Sequence, residues 1–311
     1  MSIFQRRLVR ADDVRRIGAH LRQFEHHYGP VEDEQRVVLL QQLLQEKAAT
    51  GLMVERNSAD AEVLPEIVAL GISGFLSLDD ANRLLESPPE EPIVDRIYAL
   101  EQQGRQPLLR PEQIAHANAG DGLALMFLHF SLPPGDPEAP ETQQALALMQ
   151  SSFRLHHGGY HCNIALHPVP QGDPKGKQSL LQMGFEPVGN RDTLMVFDLR
   201  TIDQYPYHPF NCLRRTRAPT LGLSPGEREL LNLALWGNSD VLIAESLNIS
   251  LDTVRKRWRK VFQKIEDQPD LALFPEPEKA DAPQTRGPEK RQRVLQFIDT
   301  HLEEIRLFQG K

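Results

Sequence analysis

The chain has 311 residues, 35 Lys+Arg against 43 Asp+Glu, a formal net charge of −8, and 40% hydrophobic residues. That length holds two cored domains, and the composition excludes a disordered chain. The two cysteines, Cys162 and Cys212, exclude a disulfide scaffold and fit a reducing compartment. The longest apolar runs, such as 122–128, are too short to cross a bilayer, and no apolar run follows Arg6-Arg7. A cytoplasmic location with no membrane partner is therefore expected.

In chain order, residues 11–24 and 34–49 are predicted as helices, the second with Val37, Leu40, Leu43 and Leu44 at helical spacing. Strands are predicted over 52–55, 67–76, 123–130 and 194–199, with helices over 142–155 and 177–183. Pro- and Gly-rich stretches at 132–140, 168–174, 205–209 and 268–288 punctuate the chain. The expected architecture is an α/β (α+β) sandwich with a mixed sheet over 1–202, a linker over 203–221 and an all-α domain over 222–267. A Pro-rich connection over 268–288 and a helix over 289–308 follow.

The charge is unevenly spread. Residues 213–265 carry ten basic against five acidic side chains, a net +5, while 1–212 sum to −10 and 266–311 to −3. Sign asymmetry of this kind points towards nucleic acid, and a solvated basic face is the plain alternative.

The basic segment is also the best punctuated. Ser224, Pro225 and Glu227 form a helix start with a capping box, Leu230, Leu231, Leu233 and Ala234 give an apolar face, and Gly237 is a stop. Ser239 caps a short second helix, and Asn248-Ile249-Ser250 is a tight turn into a third. Helical spacing places Val254, Trp258, Val261, Phe262 and Ile265 on one side of the third helix. Asp252, Lys256, Arg259, Lys260 and Gln263 fall on the other, with Arg255 at the flank. Two short helices across so tight a turn predict a helix-turn-helix, and arginines on its outer face suit bidentate contacts to guanine. A three-helix dimerisation module is the alternative for the same pattern.

The run Leu223-Ser224-Pro225-x-Glu227-Arg228-Glu229-Leu230-Leu231, with Gly237, Ser239, Ile243-Ala244-Glu245, Leu247, Ile249-Ser250, Thr253-Val254-Arg255 and Lys264-Ile265, resembles the LuxR-type (GerE) helix-turn-helix of bacterial transcription regulators. The resemblance implies base contacts from Arg255 and Arg259, and phosphate or groove contacts from Thr253, Lys256 and Lys260. The chain departs from that pattern at Asp240, Val241, Leu242 and Arg257. The family's fourth helix has a candidate in 288–308, where Val294, Phe297, Ile298, Leu302 and Ile305 make an apolar stripe. A helix that packs back on its own chain fits the same stripe.

The stretch 177–188, KQSLLQMGFEPV, resembles the end of GNAT-type acyltransferase domains, and the order of elements over 1–200 is similar to that fold. The resemblance implies a phosphate-cradling loop after the strand 123–130. Here the prolines of that loop remove N–H donors, and its Asp136, Glu138 and Glu141 would repel phosphate. The first domain is therefore read as a sensor or interaction domain rather than an enzyme.

Three further motifs carry less. His156, His157, His161 and Cys162, with His167 nearby, match no zinc spacing and read as surface, so no metal is expected. Asp12-Asp13 reads as a helix-start cap, and 172–179 as a turn that misses the P-loop spacing. Both tryptophans, Trp236 and Trp258, lie in the basic segment, away from any lactone pocket in the first domain.

The combined expectation is a DNA-binding transcription regulator, not an enzyme, without cofactor. It would act as a homodimer on double-stranded DNA, with a small-molecule or protein signal at the first domain. The alternative is a GNAT-type acyltransferase carrying a DNA- or protein-docking domain.

Overall fold

The computed structural model describes residues 3–22, 34–57, 64–133, 135–136, 138–170, 173–189, 193–205, 207–214, 217–271, 273 and 287–309. Two compact units result: Met1–Arg214 with Leu307–Lys311, and Arg215–Arg306.

The first unit runs β1 (Phe4–Leu8), α1 (Val14–Leu21), α2 (Glu34–Gln45), β2 (Ala49–Arg56), β3 (Glu66–Leu76), α3 (Leu78–Glu86), α4 (Ile93–Gln102), α5 (Pro111–Ala119), β4 (Leu123–Ser131), α6 (Pro140–His157), β5 (Cys162–Pro168), α7 (Pro174–Gln182), β6 (Glu186–Pro187) and β7 (Leu194–Asp198). The strands form one mixed sheet in the order β1-β2-β3-β4-β5-β7-β6. Among the described residues β4 and β5 are parallel and the other neighbouring pairs antiparallel. A mixed seven-stranded sheet covered by helices makes this unit an α/β fold.

Helices cover both faces because the strands are apolar on both. One core joins Val14, Ile17, Leu40, Leu43, Ile97 and Tyr98 of the helices to Met53, Ile72, Ala124, Met126 and Leu166 of the sheet. The other gathers Phe127, Cys162, Phe185, Met195 and Phe197 with Phe210 and Leu213. Burying one such side chain stabilises the fold by about 1.5–3 kcal/mol.

Several expectations need correcting. The helix expected over 11–24 starts as a 3-10 turn, Ala11–Asp13, with Asp13 accepting the Arg10 amide at 2.8 Å; Phe24 lies outside the described residues. The helix over 34–49 stops at Gln45, because Lys47 takes a φ of +56° and Ala49 already pairs with Gly74. β1, β5, β6 and α3 to α5 were not foreseen. β1 reads FQRRL, a strand whose charges are paired: Arg7 binds both Asp13 oxygens at 2.7 Å and shares nearly fully buried Glu55 with Arg16. Burial alone would raise the Asp13 carboxyl, but Arg7 and the Arg10 amide hold it below the usual carboxylate range.

The stretch 203–221 is partly structured, since a 3-10 helix at Pro209–Leu213 buries Phe210 and Leu213 in the second core. The supposed turn at 172–179 is the start of α7, capped by Asp173 on the Gly176 amide; Gly172 lies outside the described residues.

The second unit holds α8 (Pro225–Leu235), α9 (Asp240–Ser246), α10 (Leu251–Glu266) and α11 (Gly287–Thr300). Ser224, Ser239 and Ser250 each accept the amide three residues on, and Ser224 with Glu227 completes a capping box. Gly237 at φ +82° ends α8, a conformation that costs a residue with Cβ. The connection over 268–288 lies largely outside the described residues.

α11 packs against its own unit, burying Val294 and Ile298. Its Arg291 bonds Asp240 at 2.8 Å and lies 4.4 Å from the Trp258 ring centroid. The helix expected to reach Phe308 ends at Thr300, where His301 stacks on Phe297 and a 3-10 turn, Leu302–Ile305, takes over. Glu304 in that turn accepts the amides of Thr220 and Leu221 and the Thr220 hydroxyl.

Candidate active site

The pairing of β4 with β5 ends at Met126 and Leu166. Beyond it, β4 stays with β3 as far as Ser131, and β5 stays with β7 as far as Pro168. The sheet thus splits into a wedge at the carboxyl ends of its parallel strands, the place where open α/β sheets accept ligands.

A bulge decides what lines the wedge. Ile72 pairs with His129 and Ser73 with Phe127, so Leu128 is an extra residue in β4. Before it, Leu123, Leu125 and Phe127 face one core, and Ala124, Met126 and Leu128 the other. The extra residue shifts the alternation, because side chains change face with period two. His129 and Ser131 therefore join Leu128 on the side of α1 and α4, and Phe130 turns to the opposite side.

On the α1/α4 side, His129 Nε2 lies 2.7 Å from the Tyr98 hydroxyl, and Ser131 Oγ lies 2.8 Å from His20 Nε2. Burial pushes His20 and His129 down to about 4 and raises the Tyr98 phenol. Both imidazoles are thus neutral at pH 7. Opposite, Phe127 and Phe130 close on His167, with ring centroids at 4.9 and 5.6 Å. Burial lowers His167 to about 4, and its Nδ1 lies 2.7 Å from the Pro168 carbonyl.

The histidines read as surface are corrected here. His157 is buried and bonded to Ser73 at 2.7 Å, and His167 belongs to β5. Among the described residues no group of metal ligands forms.

The loop from β4 to α6 offers little to a diphosphate. Its Asp136 takes the Glu138 amide on the carboxylate and the Ala139 amide on its carbonyl. Pro140 has no N–H, and Glu141 beside it pairs with Arg56. Pro134 and Pro137 lie outside the described residues. The described residues of this loop thus give a diphosphate few free amides and a local negative charge.

In the second unit, α10 separates as its spacing requires: Val254, Trp258, Val261 and Ile265 are buried, while Arg255, Lys256, Arg259 and Lys260 are exposed. Lys256 pairs with Asp252 at 2.7 Å, which holds that carboxyl below the usual range. The Thr253 hydroxyl is shared with Ser250 Oγ at 2.8 Å. Two polar side chains of this unit tie its helices together: Asp240 accepts the Trp258 indole N–H, and Arg257 donates to the Gly226 carbonyl. Val241 is exposed and rims an open hollow of about 490 Å³ lined also by Ala244, Glu245, Asn248 and Ile249.

No protein-family profile matches the chain, and no curated protein does. Among solved structures the chain is similar to apo FdhC, a nucleotide-linked sugar GNAT, at 10% identity and a TM-score of 0.35, covering 66% of this chain and 94% of that one. It is similar to AtaT complexed with acetyl-methionyl-tRNAfMet at 12% identity and 0.31, covering 65% and 98%. A third is FeeM, an N-acyl amino acid synthase from uncultured soil microbes, at 12% identity and 0.35, covering 65% and 96%. The expectation of a transcription regulator that is not an enzyme is corrected accordingly. The printed descriptions of these neighbours name a GNAT, a complex with acetyl-methionyl-tRNAfMet and an N-acyl amino acid synthase, and none names a regulator. At such identities the likeness bears on the fold, and the chemistry has to come from this chain's own residues.

Proposed function

We propose that the protein is a GNAT-type acyltransferase that moves an acyl group from an activated ester or thioester to an amine, with its second unit as a docking module. The observation that carries this reading is the wedge between β4 and β5, lined on one side by His20, Tyr98, His129 and Ser131. The neutral His20 imidazole there lies within a hydrogen bond of the Ser131 hydroxyl and places a ring nitrogen where an attacking group can pass its proton. The acidic loop 132–141 favours donors held by their acyl end rather than by a diphosphate.

Free thiol released from acetyl-N-acetylcysteamine and from acetyl-CoA, with and without an amine panel, tests this reading. Amine-dependent release from the short thioester is expected. Release from neither donor would overturn it.

For the second unit, the LuxR-like motif over 223–265 and the exposed Arg255, Lys256, Arg259 and Lys260 support duplex DNA as the docking partner. Arg255 and Arg259 are assigned to base edges, Lys256 and Lys260 to phosphates, and Thr253 to the groove through its hydroxyl. Log affinity for duplex DNA should then fall linearly with log salt, by about 0.9 per phosphate neutralised. A salt-independent complex would leave protein as the partner.

A further inference from the structure

Among the described residues of the first unit are two buried serine–histidine pairs whose places differ. Ser73 Oγ meets His157 Nε2 in the middle of β3, a residue paired on one side with Thr50 of β2 and on the other with Phe127 of β4. That pair is walled in by sheet and ties α6 to it. Ser131, by contrast, is the last residue of β4, beyond the point where β5 has left it, and the next residue, Leu132, is 46% exposed.

We propose that Ser131 is a nucleophile that carries the acyl group as an ester, with His20 as its base. This rests on the acyltransferase reading above and adds a covalent step to it. Geometry supports the assignment: the Leu128 bulge turns Ser131 to the α1 side, where Oγ and Nε2 lie within a hydrogen bond. A neutral imidazole with Nε2 as acceptor leaves the Ser131 hydroxyl donating to it, the orientation in which oxygen loses its proton on attack. The loop adds a second reason. Since 132–141 gives a diphosphate little purchase, the donor's carrier is held weakly, and a bond to the protein retains the acyl group after the carrier departs.

The chemistry balances. Ser131 Oγ adds to the thioester carbonyl as its proton passes to His20 Nε2. The C–S bond then breaks, and sulfur takes that proton and leaves as the thiol. An acceptor amine adds to the ester carbonyl and gives a proton to His20. The bond from Oγ to the acyl carbon breaks, and His20 returns the proton to Oγ. The net result moves the acyl group from sulfur to nitrogen and restores the serine.

The test uses the full chain with two probes, p-nitrophenyl acetate and acetyl-N-acetylcysteamine, followed by peptide mass spectrometry. A burst of nitrophenol and one acetyl group on the peptide bearing Ser131 are expected. Ser131→Ala should lose both, His20→Gln should form the adduct at least about 100-fold more slowly, and Ser73→Ala should retain both. An unmodified Ser131 peptide with both probes overturns the proposal, and so does an undiminished burst in Ser131→Ala. Amine acetylation that persists in Ser131→Ala removes the covalent step and keeps the acyltransferase. A Ser131 adduct without any transfer from thioester to amine keeps the nucleophile and removes the acyltransferase.

Discussion

The Tyr98 hydroxyl lies 2.7 Å from His129 Nε2 inside the first core, joining α4 to the bulged end of β4. Neither group is charged at neutral pH, so the bond joins a neutral phenol to a neutral imidazole. Tyr98→Phe removes the hydroxyl, keeps the ring, and takes this hydrogen bond from the buried Nε2. A loss of about 1–3 kcal/mol is expected in urea unfolding. An unchanged midpoint would show that the imidazole has another partner of equal worth.

Acid should weaken the first unit early. His20, His129 and His167 are lowered by burial from 6.5 to about 4, so between those values the unfolded chain binds more protons than the folded one. Their contribution is complete above about pH 6.5 and is lost as pH falls towards 4, each by up to about 1.4 kcal/mol per pH unit. Unfolding midpoints measured from pH 7.5 to 4.5 should fall along that window. His167→Phe, which keeps an aromatic ring beside Phe127 and Phe130, should flatten the slope by one proton.

The arginines of α10 should sort by what they touch. Arg255→Ala and Arg259→Ala remove exposed side chains, so thermal stability should hold while discrimination between DNA sequences drops by about 1–3 kcal/mol per lost base contact. Arg257→Ala removes the bond to the Gly226 carbonyl and should lower the melting temperature instead. Melting curves and fluorescence anisotropy on the three variants separate these outcomes, and equal effects from all three would void the assignment.

Glu304 fastens the start of the second unit by accepting two backbone amides and a hydroxyl. Glu304→Gln puts an amide NH₂ against donors. About 1.5–3 kcal/mol of stability should go, read as an earlier transition in the second unit by Trp258 fluorescence.

How far the sequence reaches differs between the two units for physical reasons. In the second, short-range chemistry marks each boundary: Ser224, Ser239 and Ser250 each cap a helix, and Gly237 ends one. In the first, β5 reads CNIALHP, a strand buried on both sides with no alternation, and its histidine looked like surface. β1 hides for the opposite reason, since its Arg7 is paired with Asp13 and Glu55 and its Arg6 donates to the Ser151 hydroxyl, partners that lie elsewhere in the chain. The wedge residues His20, Tyr98, His129 and Ser131 come from three separate elements, and no local spacing links them. The loop 132–141 argues against a donor held by its diphosphate, and that argument does not reach other acyl donors.

The bulge at Leu128 makes the lining of the wedge a matter of parity. Excision of that single residue would restore the two-residue alternation and exchange the walls, carrying the imidazole and the hydroxyl across the sheet and a phenyl ring into their place. No polar group need be mutated for the chemistry to vanish. In this fold a reading-frame-neutral deletion of one codon is a more drastic event for the wedge than many substitutions within it.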